Sequence, residues 1–143
     1  MARRLVYKGS LNGTAPIYRE YKVNDSQTLY QGDVVVFSSN KISAAADEAS
    51  AGTVAGVCAS PITTTTATDS DVVKVDINPA SIYEIVYDGT ATPAIGTKYD
   101  FDTAPYTLDS DDSSSGFLQV VGYPDTDNSV VDIILCNRAF GMA

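Results

Sequence analysis

Apolar and polar residues fall into short blocks separated by turn-forming clusters, and no window of about eleven residues carries apolar side chains at i, i+3, i+4 and i+7. The blocks are residues 17–23, 33–37, 54–59, 72–77, 82–87, a short one at 97–101, 117–123 and 130–136. Asp88-Gly89 has turn chemistry, and Pro61, Pro79, Pro93, Pro105 and Pro124, which lack an N–H donor, fall between blocks. The pattern predicts an all-β chain of about eight strands, which fits a single small β-barrel or sandwich.

Two blocks show how the strands should be buried. In residues 72–77, Val73, Val75 and Ile77 share one face while Lys74 and Asp76 take the other, so one side is expected to be wet. In residues 130–136, Val131, Ile133 and Leu135 share a face while Val130, Ile134 and Cys136 accompany Asp132 on the other. That strand should be central or covered by a partner subunit. The segment 43–50 is the only run of good helix formers, and eight residues sustain a turn or ordered loop rather than a helix. Thr-rich residues 63–68 and the Asp/Ser run 109–116 read as solvated loops, the second a mobile tip.

Charge divides this pattern in two. Residues 1–23 hold five basic groups against one acidic, a net +4, whereas residues 24–143 hold four basic against 17 acidic, a net −13. The expected organisation is an extended basic N-terminal arm, 1–23, on an acidic β-domain, 24–143. An acidic body repels phosphate backbones, so nucleic acid is not an expected partner. The apolar run after Arg3 and Arg4 is only Leu5, Val6 and Tyr7, too short for a signal core or a membrane span; the reading is a soluble chain made in a cytoplasm, with no membrane partner.

Candidate chemistry is sparse. The 143 residues include no His and two Cys, which removes histidine catalysis and the zinc signatures; no metal and no cofactor are expected. Cys58 and Cys136 sit in apolar blocks and read as buried small hydrophobes. Ser38-Ser39-Asn40-Lys41 has the spacing of a Ser/Lys nucleophile, but it ends a strand and opens a turn, and its partner motifs are absent. Asp102-Thr103-Ala104 stops one residue short of an aspartic-protease motif and has no second copy. Asp125–Ser129 opens like a calcium loop, yet Val130 stands at the glycine position and Cys136 at the bidentate glutamate position, so it reads as a turn. The acceptor patterns at Asn12 and Asn24 are chance matches in a chain with no secretory route. No phosphate-cradling loop or nucleophile elbow occurs, and the chain does not read as an enzyme; a hydrolase built on Glu20, Glu48 or Glu84 is the weakest alternative.

Tyrosine is more informative. There are nine Tyr against four Phe, and Tyr7, Tyr18, Tyr21 and Tyr30 lie beside the basic groups of the first thirty residues. Tyr and Arg are enriched in protein interfaces because each joins contact area to hydrogen bonding; the alternative is that these rings pack on their own domain.

The run Tyr30-Gln31-Gly32-Asp33-Val34-Val35-Val36-Phe37, an Ala-rich link and then Ala51-Gly52-Thr53-Val54-Ala55-Gly56-Val57 resembles the opening of capsid decoration (cement) proteins of tailed bacteriophages. Residues 72–77, Pro79 and the Tyr83-containing strand extend the likeness over roughly residues 30–88, as a pattern of composition and order. The chain is longer than the smallest such proteins, with an extra hairpin at 117–136. The resemblance implies a structural virion protein on the outer surface of an expanded capsid, commonly trimeric, that cements neighbouring capsomers. Its partner would be the major capsid protein, with Arg3, Arg4, Tyr7, Lys8, Tyr18, Arg19 and Tyr21 carrying the contacts. The alternative is a host-surface-binding head-fibre or adhesin module, using the acidic loops 63–71 and 109–116.

Overall fold

The structure is a computed structural model that describes residues 4–46, 52–103, 105–114 and 116–140. Among these residues it is all-β, with fourteen strands: β1 (Val6–Ser10), β2 (Tyr18–Lys22), β3 (Thr28–Leu29), β4 (Val34–Ser38), β5 (Lys41–Ala44), β6 (Val54–Cys58), β7 (Ile62–Thr63), β8 (Val72–Asp76), β9 (Ser81–Asp88), β10 (Lys98–Tyr99), β11 (Phe101–Thr103), β12 (Thr107–Asp109), β13 (Leu118–Val120) and β14 (Val130–Leu135). The count exceeds the eight expected mainly because several strands have only two or three residues, too few to show alternation. Residues 47–50 of segment 43–50 lie outside the described residues, and Ser43 and Ala44 belong to β5.

Five strands in the order β2-β8-β6-β4-β5 form a sheet that curls almost into a barrel. A parallel bridge between Val23 and Ile42, with Asn24 N donating to Ile42 O at 3.0 Å, brings the end of β2 back to β5. Val23, Leu29, Val35, Ile42, Ala55, Cys58, Val73 and Val75 fill its interior. A bulge where β4 meets β6 helps the sheet to turn. At the same place Gly56 allows the chains to close up, since a Cβ there would collide with the Asp76 carbonyl. The hairpin from β4 to β5 turns through Ser39 and Asn40 at φ +53° and +63°, the paired left-handed conformation of a two-residue loop that matches strand twist.

The second sheet runs β10-β13-β14-β9-β12-β11, with β1 also on β9. Strand β14 occupies one edge of β9, and β1 and β12 share the other, opposite residues 81–84 and 86–88. Its inner face brings Tyr83, Ile85, Leu118, Val131 and Ile133, with Phe101 and Phe117, against Val34, Val54 and Val57 of the barrel wall. Strands β4 and β6 therefore separate two cores and are apolar on both faces, which is why all five residues of β6 are buried. Strand β14 is central, as one of its two expected placements required.

Two expectations are corrected. Residues 6–22 do not stand off as an extended arm: β1 is laddered onto β9 and β2 onto β8, and Leu5 is buried between the sheets. An unpaired edge of β9 would leave backbone groups without partners, and β1 supplies them. Asp76, assigned to a wet face, is only 2% exposed because the end of β8 meets Tyr83 of the second sheet, while Lys74 on that same face is exposed as expected. Residues 109–112 of the 109–116 run are also more tied down than a free tip. Ser110 is buried and donates to Asp88 O, and Asp111 accepts from Thr90 N and Ala91 N, contacts that hold its carboxyl below its usual value.

Candidate interaction site around the N-terminal strands

The segment singled out for docking is used in several ways. Arg3 lies outside the described residues. The Arg4 guanidinium lies between two rings, 4.3 Å from the centroid of Tyr30 and 4.4 Å from that of Tyr106, and its Nε is 2.8 Å from Asp33 Oδ1. Asp33 Oδ2 accepts from Tyr30 N at 2.9 Å. Burial pushes the Asp33 carboxyl up, and Tyr30 N–H and Arg4 only partly offset it. Arg4 is a clamp that fastens the chain's start to its own body.

Tyr21 is likewise internal, edge-on to Phe37 with centroids 4.9 Å apart and stacked over Phe140 at the barrel's end. Lys8 turns to the outer face of the second sheet, 3.5 Å from Glu84. The fold brings together Tyr7 and Tyr18. They line a half-open pocket of about 60 Å³ where β1 and β2 diverge toward different sheets, with Leu5, Val57 and Tyr83 completing much of its wall. Tyr7 and Tyr83 are a cross-strand pair with rings near perpendicular, 5.7 Å between centroids. Arg19 is exposed on the same strand as Tyr18.

Strand β2 also presents a partly open edge. Ile77 N donates to Ile17 O and Val23 N to Asp71 O, so the odd-numbered residues of β2 bond to β8. The backbone groups of Tyr18 and Glu20 then point away, until the bridge at Val23 closes the barrel.

Behind the pocket lies a polar cluster that the sequence reading missed. Tyr83 Oη donates to Asp76 Oδ2 at 2.6 Å, while Asp76 Oδ1 accepts from Ile17 N at 3.1 Å and Asn78 N at 3.0 Å. Burial first, then the Asp76 carboxylate, and more weakly Tyr18 and Tyr7, push the Tyr83 hydroxyl well up, so it keeps its proton. Arg138 donates to Ala55 O at 3.1 Å, and burial draws its pKa down against the opposing pull of Asp76 and Tyr83. The one available signal was Asp76 beside Asn78-Pro79 at a strand end, and alternation alone placed it on the wrong side.

Cys58 also lines the pocket, but its thiol donates to Ser60 O at 2.9 Å and burial pushes it up to about 11, so it stays protonated and unreactive at neutral pH. Cys136, expected to be buried, is half-buried just past the end of β14, packed against the core between the sheets. No cluster of three or more Cys, Asp or Glu among the described residues is arranged to hold a metal, and no helix there is long and apolar enough to cross a membrane. Asp125 organises a turn, accepting from Asp127 N and Asn128 N. No protein-family model matches the chain, and no curated protein matches it in sequence.

Proposed function

We propose that this chain is a structural virion protein that binds the outer surface of an expanded phage capsid and cements neighbouring capsomers, acting as a homo-oligomer, a trimer by preference, without turnover. The observation that carries the reading is the Tyr7–Tyr18 pocket with the open stretch of β2, where exposed Arg19 takes the opposite face of the strand from Tyr18, on a domain whose remainder is acidic. Aromatic and arginine side chains beside an unpaired strand edge suit docking on another polypeptide, by packing and by strand addition. The likeness of residues 30–88 to decoration proteins supplies the kind of partner. Many copies that each bind only the expanded shell would stabilise it by mass action.

Truncation is a poor test, because removing residues 1–16 also removes β1, Leu5 and the Arg4 clamp. Tyr18→Ala combined with Arg19→Glu leaves these in place. Co-sedimentation with expanded empty heads of the phage encoding the chain is expected to show near-complete loss of binding for this variant; full occupancy would refute the assignment. A second reading, a host-binding adhesin module, is favoured by Tyr123, which is 90% exposed in the connection between β13 and β14. Binding of the wild type to host envelopes and not to heads, abolished by Tyr123→Ala, would select it.

A further inference from the structure

We propose that the tyrosine pocket between β1 and β2 is a binding site for a primary ammonium group on an alkyl stem. Three tyrosines, Tyr7, Tyr18 and Tyr83, stand around it, two with rings at 71° to one another, which gives a cation two differently oriented aromatic walls. The Tyr83 proton is committed to Asp76 at 2.6 Å, so the Tyr83 oxygen can only accept on its remaining side. Asp76 lies behind that hydroxyl, buried and held by Ile17 N and Asn78 N. An anion would approach this carboxylate across a single hydroxyl. Of the nearby cations, Arg138 hydrogen-bonds to the carbonyls of Ala55 and Phe140 while still feeling the charge of Asp76, and Arg4 pairs with Asp33.

Size narrows the class. Against the roughly 150 Å³ cavity that admits benzene, the space here is less than half, about 60 Å³. That admits an ammonium and the carbon bearing it, with three N–H donors for the surrounding oxygens. A tetramethylammonium carries no N–H for the Tyr83 oxygen to accept. Leu5 and Val57 offer apolar surface to the stem.

The same chemistry is carried by a free amine and by a lysine on a docked protein, and the test separates them. Tyrosine-ring NMR of the isolated full-length protein is recorded during titration with n-butylammonium, with tetramethylammonium and sodium at equal ionic strength as controls. The expected result is saturable shifts at Tyr7, Tyr18 and Tyr83 in the millimolar range with n-butylammonium alone. Tyr18→Leu, at a half-exposed position outside both cores, is expected to weaken binding about fivefold with no change in melting temperature. A blocked lysine tripeptide giving the same shifts would identify a protein lysine as the occupant; binding of n-butylammonium without the tripeptide would identify a free amine. No saturable shift with either, or equal shifts with tetramethylammonium, overturns the proposal. Capsids play no part in these measurements, so the outcome is independent of the docking reading.

Discussion

Inside the barrel the buried side chains are Val, Ala, Cys, one Leu and one Ile, whereas the space between the sheets holds the rings of Tyr83, Tyr99, Phe101 and Phe117. A sheet of five strands curled on itself has a narrow interior that small branched residues fill. Two facing sheets leave a gap of about 10 Å that rings can span, as Phe101 and Phe117 do with centroids 5.1 Å apart and faces near perpendicular. The barrel is held by many short strand contacts around small residues; the joint between it and the second sheet depends on a few large groups. The same joint carries the buried polar pair Asp76–Tyr83, and its mouth is the tyrosine pocket.

The sharpest way to break this comparison is at Phe117, which has no exposed surface. Phe117→Ala is expected to cost about 3–5 kcal/mol in urea unfolding, a large share of a typical stability, whereas Val73→Ala in the barrel should cost about 2 kcal/mol. Equal losses would show that the two cores bear load alike.

Next in size is the clamp at the chain's start. Arg4→Ala leaves Asp33 buried without its cation, a change expected to cost about 2 kcal/mol, less than for a fully buried pair because Arg4 keeps some exposure. The pH dependence gives a separate check. Burial raises the native Asp33 value, so the native state holds this proton more tightly than the unfolded chain does. Its stabilising contribution is full below the unfolded value of 3.8 and is lost as pH rises through the raised native one. Asp33→Asn lacks that loss, so its stability relative to wild type should improve as pH rises from about 3 to about 7. A difference independent of pH would mean that Asp33 is not shifted upward.

The smallest expected effect is at the polar pair. Tyr83→Phe removes a hydroxyl and leaves Asp76 Oδ2 short of its donor, for about 1–2 kcal/mol by denaturant unfolding. No loss would indicate that water replaces the hydroxyl.

The all-β class and the interior side of residues 72–77 were legible in the chain, because alternation along a strand is a local property that burial on one face imposes, and a central place was one of the two readings that residues 130–136 allowed. So was the turn nature of Ser38–Lys41 and Asp125–Ser129, which depends on neighbouring residues alone. The docking candidates were only partly legible. Tyr7, Tyr18 and Arg19 remain at the surface, but the composition that marked them also marked Arg4 and Tyr21, which are spent on internal stacking.

What the linear order left open is which strand lies opposite which. Periodicity says that a residue points up or down, not what stands across from it, so Asp76 counted as wet with Lys74 until the second sheet met the end of β8. The basic start of the chain, for the same reason, read as an arm, although its ladders to β9 and β8 depend on residues about fifty positions or more away. Net charge and composition do not encode such pairings. They are set by the backbone hydrogen bonds that β9 and β8 need and by the space between two packed sheets.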